Sequence, residues 1–168
     1  MKFQSARRVC LLLLLSLFCL PLTRMARADE QVSQADINKA VGLLNSTGYP
    51  YITTKSPTVW VMHFTGTHLK DIKVVMAIGG DVDSDLIVFV TVAEKRQMPV
   101  NVDFRYKLLK FNHSLDQVKV GFDGDDDLSV RIDGSLRLAD GIFLKRIIDQ
   151  VKNASDDIYG QIQGDLQP

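Results

Sequence analysis

The chain has 168 residues, 46% of them hydrophobic, with 20 basic and 20 acidic residues and a formal net charge of zero. That balance is uneven along the chain: residues 1–28 hold five basic residues (Lys2, Arg7, Arg8, Arg24, Arg27) and no acidic one, leaving 15 against 20, a net charge of −5, over residues 29–168. An acidic domain repels phosphate backbones and anionic headgroups, which argues against nucleic acid or a membrane surface as its main partner.

The first residues join Lys2, Arg7 and Arg8 to a leucine-rich run at 9–22 and to Ala26-Arg27-Ala28 before Asp29, the layout of a cleavable secretory signal. Pro21, Thr23 and Arg24 interrupt the run, and a membrane span needs roughly 20 consecutive apolar residues. The expectation is a signal peptide at 1–28, export to the periplasm or the exterior, no stable membrane span after cleavage, and one domain at 29–168. Cys10 and Cys19 both fall in the signal, so the remaining chain would carry no disulfide and no cysteine-bound metal.

In 29–168, Ile37, Ala40, Val41 and Leu44 fall at helical spacing, with Ser33 and Asp36 resembling a capping box and Gly48 suited to the exit. This predicts a helix over 33–47. Strands are predicted at 58–64, 72–78 and 86–93, separated by Gly66, by Gly79-Gly80 and by aspartates 81, 83 and 85; the short connections favour an antiparallel meander. Pro99 is expected to open a second helix reaching about Phe111.

Two alternating strands follow, burying Val118, Val120 and Phe122, then Leu128, Val130 and Ile132, around an acidic turn. Asp140 can cap a last helix carrying Phe143, Ile147, Val151, Ile158 and Ile162, and residues 164–168 are expected to fray. The predicted order is α-β-β-β-α-β-β-α, an α+β domain with a five-stranded antiparallel sheet.

The last two strands alternate with Lys119, Gly121, Ser129 and Arg131, which marks a wet face. The first three are apolar on both faces, Val61, Val75 and Phe89 standing opposite Met62, Met76 and Val88. The second helix likewise has Val100, Phe104, Leu108 and Phe111 on one side and Val102, Tyr106 and Leu109 on the other. Either three helices wrap both sheet faces of a monomer, or a second subunit or a client covers one of them. The pattern favours association, with Val61, Val75, Phe89, Val102, Tyr106 and Leu109 as the candidate surface in a homodimer that also holds a protein or peptide.

No catalytic constellation is legible. His63, His68 and His113 lack metal-ligand spacing. The aspartate runs at 81–85 and 123–127 resemble the start of a calcium loop, but Leu86 and Leu128 stand where glycine is needed, and Val92 and Gly134 cannot give the closing carboxylate. They read as turns. Gly-x-Ser-x-Gly and a phosphate loop with its lysine are absent. The expectation is a protein without catalytic residues, metal or cofactor. An envelope sensor binding a small ligand or metal ion at 123–127 is the alternative.

Tyr51-Ile-Thr followed by Val59-Trp60-Val61, then LLKFNHSLDQVKVGFDGDDDLSVRIDGSL, then the last helix with residues 154–159, resemble the YbjN-type family of bacterial proteins. Its members resemble type III secretion chaperones in fold. The resemblance implies an antiparallel sheet with helices, dimerisation, and a non-catalytic chaperone-like or regulatory role. The secretion chaperones work in the cytoplasm, whereas this chain has an export signal.

Overall fold

The computed structural model describes residues 32–79 and 85–167. The expected signal peptide, with Cys10 and Cys19, and the turn residues Gly80, Asp81 and Asp83 lie outside them.

Helix α1 (Gln34–Thr47) starts where its cap dictates: the Ser33 side chain accepts the Asp36 N–H at 3.1 Å, and Gly48 closes the helix in the left-handed conformation at φ 74°. Strands β1 (Ile52–Thr53), β2 (Val59–Phe64), β3 (Ile72–Ile78) and β4 (Asp85–Ala93) follow, then a short 3₁₀ turn and helix α2 (Val102–Ser114). Strands β5 (Lys119–Phe122) and β6 (Leu128–Ser135) and the 22-residue helix α3 (Gly141–Ile162), capped by Asp140, complete the fold.

The sheet has six strands in the order β1-β2-β3-β4-β6-β5, every neighbouring pair antiparallel. Five strands were expected. The sixth, β1, has only two residues, too few to show a periodicity, and it forms because a turn returns Thr54 N–H to the Val59 carbonyl at 3.1 Å. Helix α2 also starts later than Pro99. Asn101 accepts the Phe104 N–H at 2.7 Å, a stronger N-terminal signal than a proline three residues upstream, and the helix runs on to Ser114.

The three helices of the described residues lie on one face. Trp60, Met76, Val88 and Ile132 form a buried cross-strand row on that face. Helix α3 packs over β3, β4 and β6, α1 packs against α3, and α2 packs over β5. Leu144, Ile147, Ile148, Val151 and Ile158 of α3 and Phe104, Leu108 and Phe111 of α2 join the same core. Each large side chain so buried contributes about 1.5–3 kcal/mol. Among the described residues, helices do not wrap both sheet faces, contrary to the monomer arrangement.

Three further expectations are corrected. Phe122 is 51% exposed at the end of the edge strand, with an open cavity on either side of it along α2. Val100 is 91% exposed, because it precedes the helix whose buried stripe it was expected to join. The segment after α3 is tied down at several points: Asp165 pairs with Lys107 at 2.8 Å, Gln167 N–H reaches the Gln97 carbonyl at 2.7 Å, and Leu166 packs on the core. Among the described residues no helix is long and apolar enough to cross a membrane.

Candidate association surfaces

The uncovered face of the sheet carries one row that crosses all six strands: Ile52, Val61, Val75, Phe89, Arg131 and Lys119. A parallel row runs Val59, Ala77, Ile87 and Asp133. Paired residues share a face, so the apolar ends of both rows form one patch on β1–β4. Its rim at β5 and β6 is charged. Asp133 pairs with Lys119 at 2.9 Å and with Arg131 at 2.7 Å. Burial pushes the Asp133 carboxyl up, but the hydrogen bonds from Lys119 and Arg131 outweigh it and hold it below the ordinary aspartate value.

Val61, Val75 and Phe89 are half-buried in this patch by their sheet neighbours, with no helix above them among the described residues. Val102, Tyr106 and Leu109 stand elsewhere, on the outward side of α2, 80%, 60% and 66% exposed. The six residues singled out from the sequence therefore form two surfaces.

The second surface is larger than the sequence indicated. Phe122 separates two cavities, one of about 200 Å³ shared with Val100, Phe104 and Asp126, the other of about 470 Å³ shared with Leu108, Leu109 and Asn112. Ile52, Val100 and Phe122 are residues of these two surfaces that sequence reasoning missed. Alternation placed Phe122 inside, and a two-residue strand gave no pattern for Ile52.

At the end of this surface the acidic turn is organised by its own carboxylates. Asp123 Oδ1 accepts the Asp125 and Asp127 N–H groups, each at 3.0 Å, and Asp127 accepts the Lys95 N–H at 2.7 Å. Lys95 Nζ meets Asp126 at 2.6 Å, which holds the Asp126 carboxyl below and the Lys95 ammonium above their ordinary values. His63 pairs with Asp71 at 2.9 Å, His68 lies against α3 at Gly160, and His113 is exposed on the last turn of α2. Among the described residues no group of three or more histidine, cysteine or acidic residues is arranged to hold a metal.

The chemistry available at both surfaces is burial of apolar area and pairing of charges. The fold is an α+β sandwich of one antiparallel sheet and a single layer of helices. It is shared with a chain in the crystal structure of the ExsC–ExsE complex, at a TM-score of 0.56 over 77% of this chain and 95% of that one, with 10% identity. A chain of the heterodimeric ExoU–SpcU complex from the type III secretion system of Pseudomonas aeruginosa aligns at a TM-score of 0.48 and 12% identity, over 76% of this chain and 97% of that one. No protein-family model and no curated protein matches the sequence.

Proposed function

We propose that this is a non-catalytic, exported binding protein of the YbjN type, chaperone-like or regulatory, that holds a protein or peptide segment on the open face of its sheet. One observation carries the reading: the three described helices occupy the other face, and among the described residues nothing forms a covering layer over the row Ile52, Val61, Val75 and Phe89. A contiguous apolar patch on a sheet face is unfavourable in water unless something docks on it. The similarity in fold to a chain of the ExsC–ExsE complex supports a protein as the occupant. The charged rim of Lys119, Arg131 and Asp133 would set orientation and limit wrong partners.

Self-association through the second surface, on α2, belongs to the same reading. An export signal puts the activity in the periplasm or outside the cell.

The test is suppression of aggregation of a chemically unfolded model protein, followed by light scattering. Wild type suppresses it near equimolar ratio; Phe89→Asp and Val75→Asp lose the effect while their circular dichroism stays native. If wild type has no effect, or if both variants act as well as wild type, the open face is not the holding surface. The alternative of a metal-responsive sensor at 123–127 gains no support from a turn whose carboxylates bind its own backbone and Lys95.

A further inference from the structure

We infer that the open face of the sheet selects its client by charge polarity: it takes an amphipathic helix of another protein laid along β2–β4, acidic first turn at Lys73 and basic last turn at Asp85. This rests on the holding role proposed above and names the occupant.

The shape of the patch fits a helix. Val59 and Val61, Val75 and Ala77, and Ile87 and Phe89 give three adjacent strands two outward apolar residues each. The outer two of these strands are about 10 Å apart, the width of one helix. An extended segment lying flat on the sheet would meet no free strand edge and would bury unpaired N–H and C=O groups, whereas a helix satisfies its own backbone.

Charge sets the direction. Lys73 shares this face two residues before Val75, and Asp85 shares it two residues before Ile87. Because Val75 pairs with Phe89, the two charges lie six residues apart in register, about 20 Å along the strands. A helix of about 14 residues has that length. Both side chains are exposed, and neither has a partner among the described residues. The charges around them are engaged: His63 with Asp71, Glu94 with Arg96, and Lys119 and Arg131 both with Asp133.

The cationic end also has room for a carboxylate. Pairing of β3 with β4 stops at Val75 and Phe89, and beyond it a cavity of about 350 Å³ opens beside Lys73, Thr91 and Gln97. A helix is itself stabilised by acidic side chains in its first turn and basic ones in its last, so a single orientation satisfies both the helix and the face. The reverse orientation sets carboxylates on Asp85 and cations on Lys73.

The experiment titrates the full chain into two labelled synthetic peptides of that length, with leucines at helical spacing and side-chain staples that equalise their helix content. One has glutamates in its first turn and lysines in its last; the other has the two exchanged. Fluorescence anisotropy at low salt is expected to show the first peptide binding about threefold to tenfold tighter, a gap that closes as salt rises. Lys73→Glu combined with Asp85→Lys should reverse the preference, and Phe89→Asp should abolish binding of both peptides.

Equal binding of the two peptides, abolished by Phe89→Asp, overturns the polarity but leaves the holding role standing. Binding lost in Leu109→Asp and kept in Phe89→Asp puts the peptide on α2 and overturns the inference. If neither peptide binds while wild type still suppresses aggregation, the occupant is not a helix. If neither binds and aggregation proceeds, this inference and the holding role fall together.

Discussion

Asp156 on α3 fixes the loop between β2 and β3 through Leu69: its Oδ1 accepts the Leu69 N–H at 2.7 Å and the His68 N–H at 2.8 Å, while Oδ2 accepts the Thr67 N–H at 2.8 Å. Three successive backbone donors thus converge on one carboxylate 87 to 89 residues away in the chain. That carboxylate ties the loop to the helix layer, beside the His68 ring against Gly160 and Leu69 against the core.

Replacing Asp156 with alanine should cost about 1–2 kcal/mol in urea unfolding, the lower part of the range for charged hydrogen bonds because water reaches the loop. Amide exchange at Thr67, His68 and Leu69 should accelerate more than elsewhere. Burial pushes the Asp156 carboxyl up, but the three backbone hydrogen bonds outweigh it, so its folded pKa lies below the ordinary aspartate value of about 3.9. Its contribution is therefore complete above the unfolded pKa and is lost as pH falls through the folded one. Melting curves from pH 6 to pH 2 should show a smaller acid-induced loss for Asp156→Asn than for wild type. Equal losses would mean that the loop is held by something else.

Gly160 answers the same loop from one turn further along α3. A Cβ there would lie 2.6 to 2.8 Å from the His68 ring, closer than such contacts allow. In an ordinary exposed helix, glycine to alanine stabilises by about 1 kcal/mol; here Gly160→Ala should destabilise by a comparable amount. Combining it with His68→Ala should recover most of the loss, because the clash and the ring vanish together. A stabilised Gly160→Ala single variant would show that the His68 ring moves aside freely.

Neither contact could be read from the sequence, since both join residues about 90 positions apart and leave no periodic trace. What could be read was local or periodic. Ser33 and Asp140 cap helices where expected, β3 has the predicted bounds, and the two apolar faces of β2–β4 reflect a sheet covered on one side only. The misjudged burial of Phe122 has one cause: alternation reports which side a residue faces, not whether a neighbour reaches it. Phe122 keeps the inward parity of Val120 yet lies between two open cavities along α2. The outward residues Val61, Val75, Phe89, Val102, Tyr106 and Leu109 were legible as apolar, but their separation into a sheet surface and a helix surface depends on where α2 packs.

Asn112, whose side chain accepts the Val120 N–H at 2.7 Å and donates to the Val120 carbonyl at 2.8 Å, gives a third prediction. Asn112→Leu keeps the bulk but leaves the Val120 N–H and carbonyl without their side-chain partners, at a cost of about 1–2 kcal/mol. It also reopens the edge of β5 to other strands. The expected result is a lower urea midpoint with an unchanged slope, and faster growth of light scattering on warming. Asn112→Asp keeps an acceptor for the Val120 N–H but sets a carboxylate against the Val120 carbonyl, so it should be no more stable than the leucine variant. If both variants match wild type in midpoint and scattering, water replaces the Asn112 amide and the edge is not guarded by it.

The acidic turn separates a structural role for its aspartates from a metal-binding one. Asp123 Oδ1 accepts two backbone donors of its own turn, and Asp126 sits at φ 64°, a left-handed conformation that costs a non-glycine residue energy unless the turn holds it. Asp123→Ala should therefore destabilise by about 1–2 kcal/mol through the loss of these bonds, while Asp126→Gly should lose the Lys95 pair but relieve the backbone, leaving stability nearly unchanged. Because Asp123, Asp126 and Asp127 are already engaged, millimolar calcium should leave the melting temperature of wild type where it is. A ligand that binds only the folded state raises stability with its concentration, so a calcium-dependent rise that disappears in Asp123→Ala would assign the turn to ion binding.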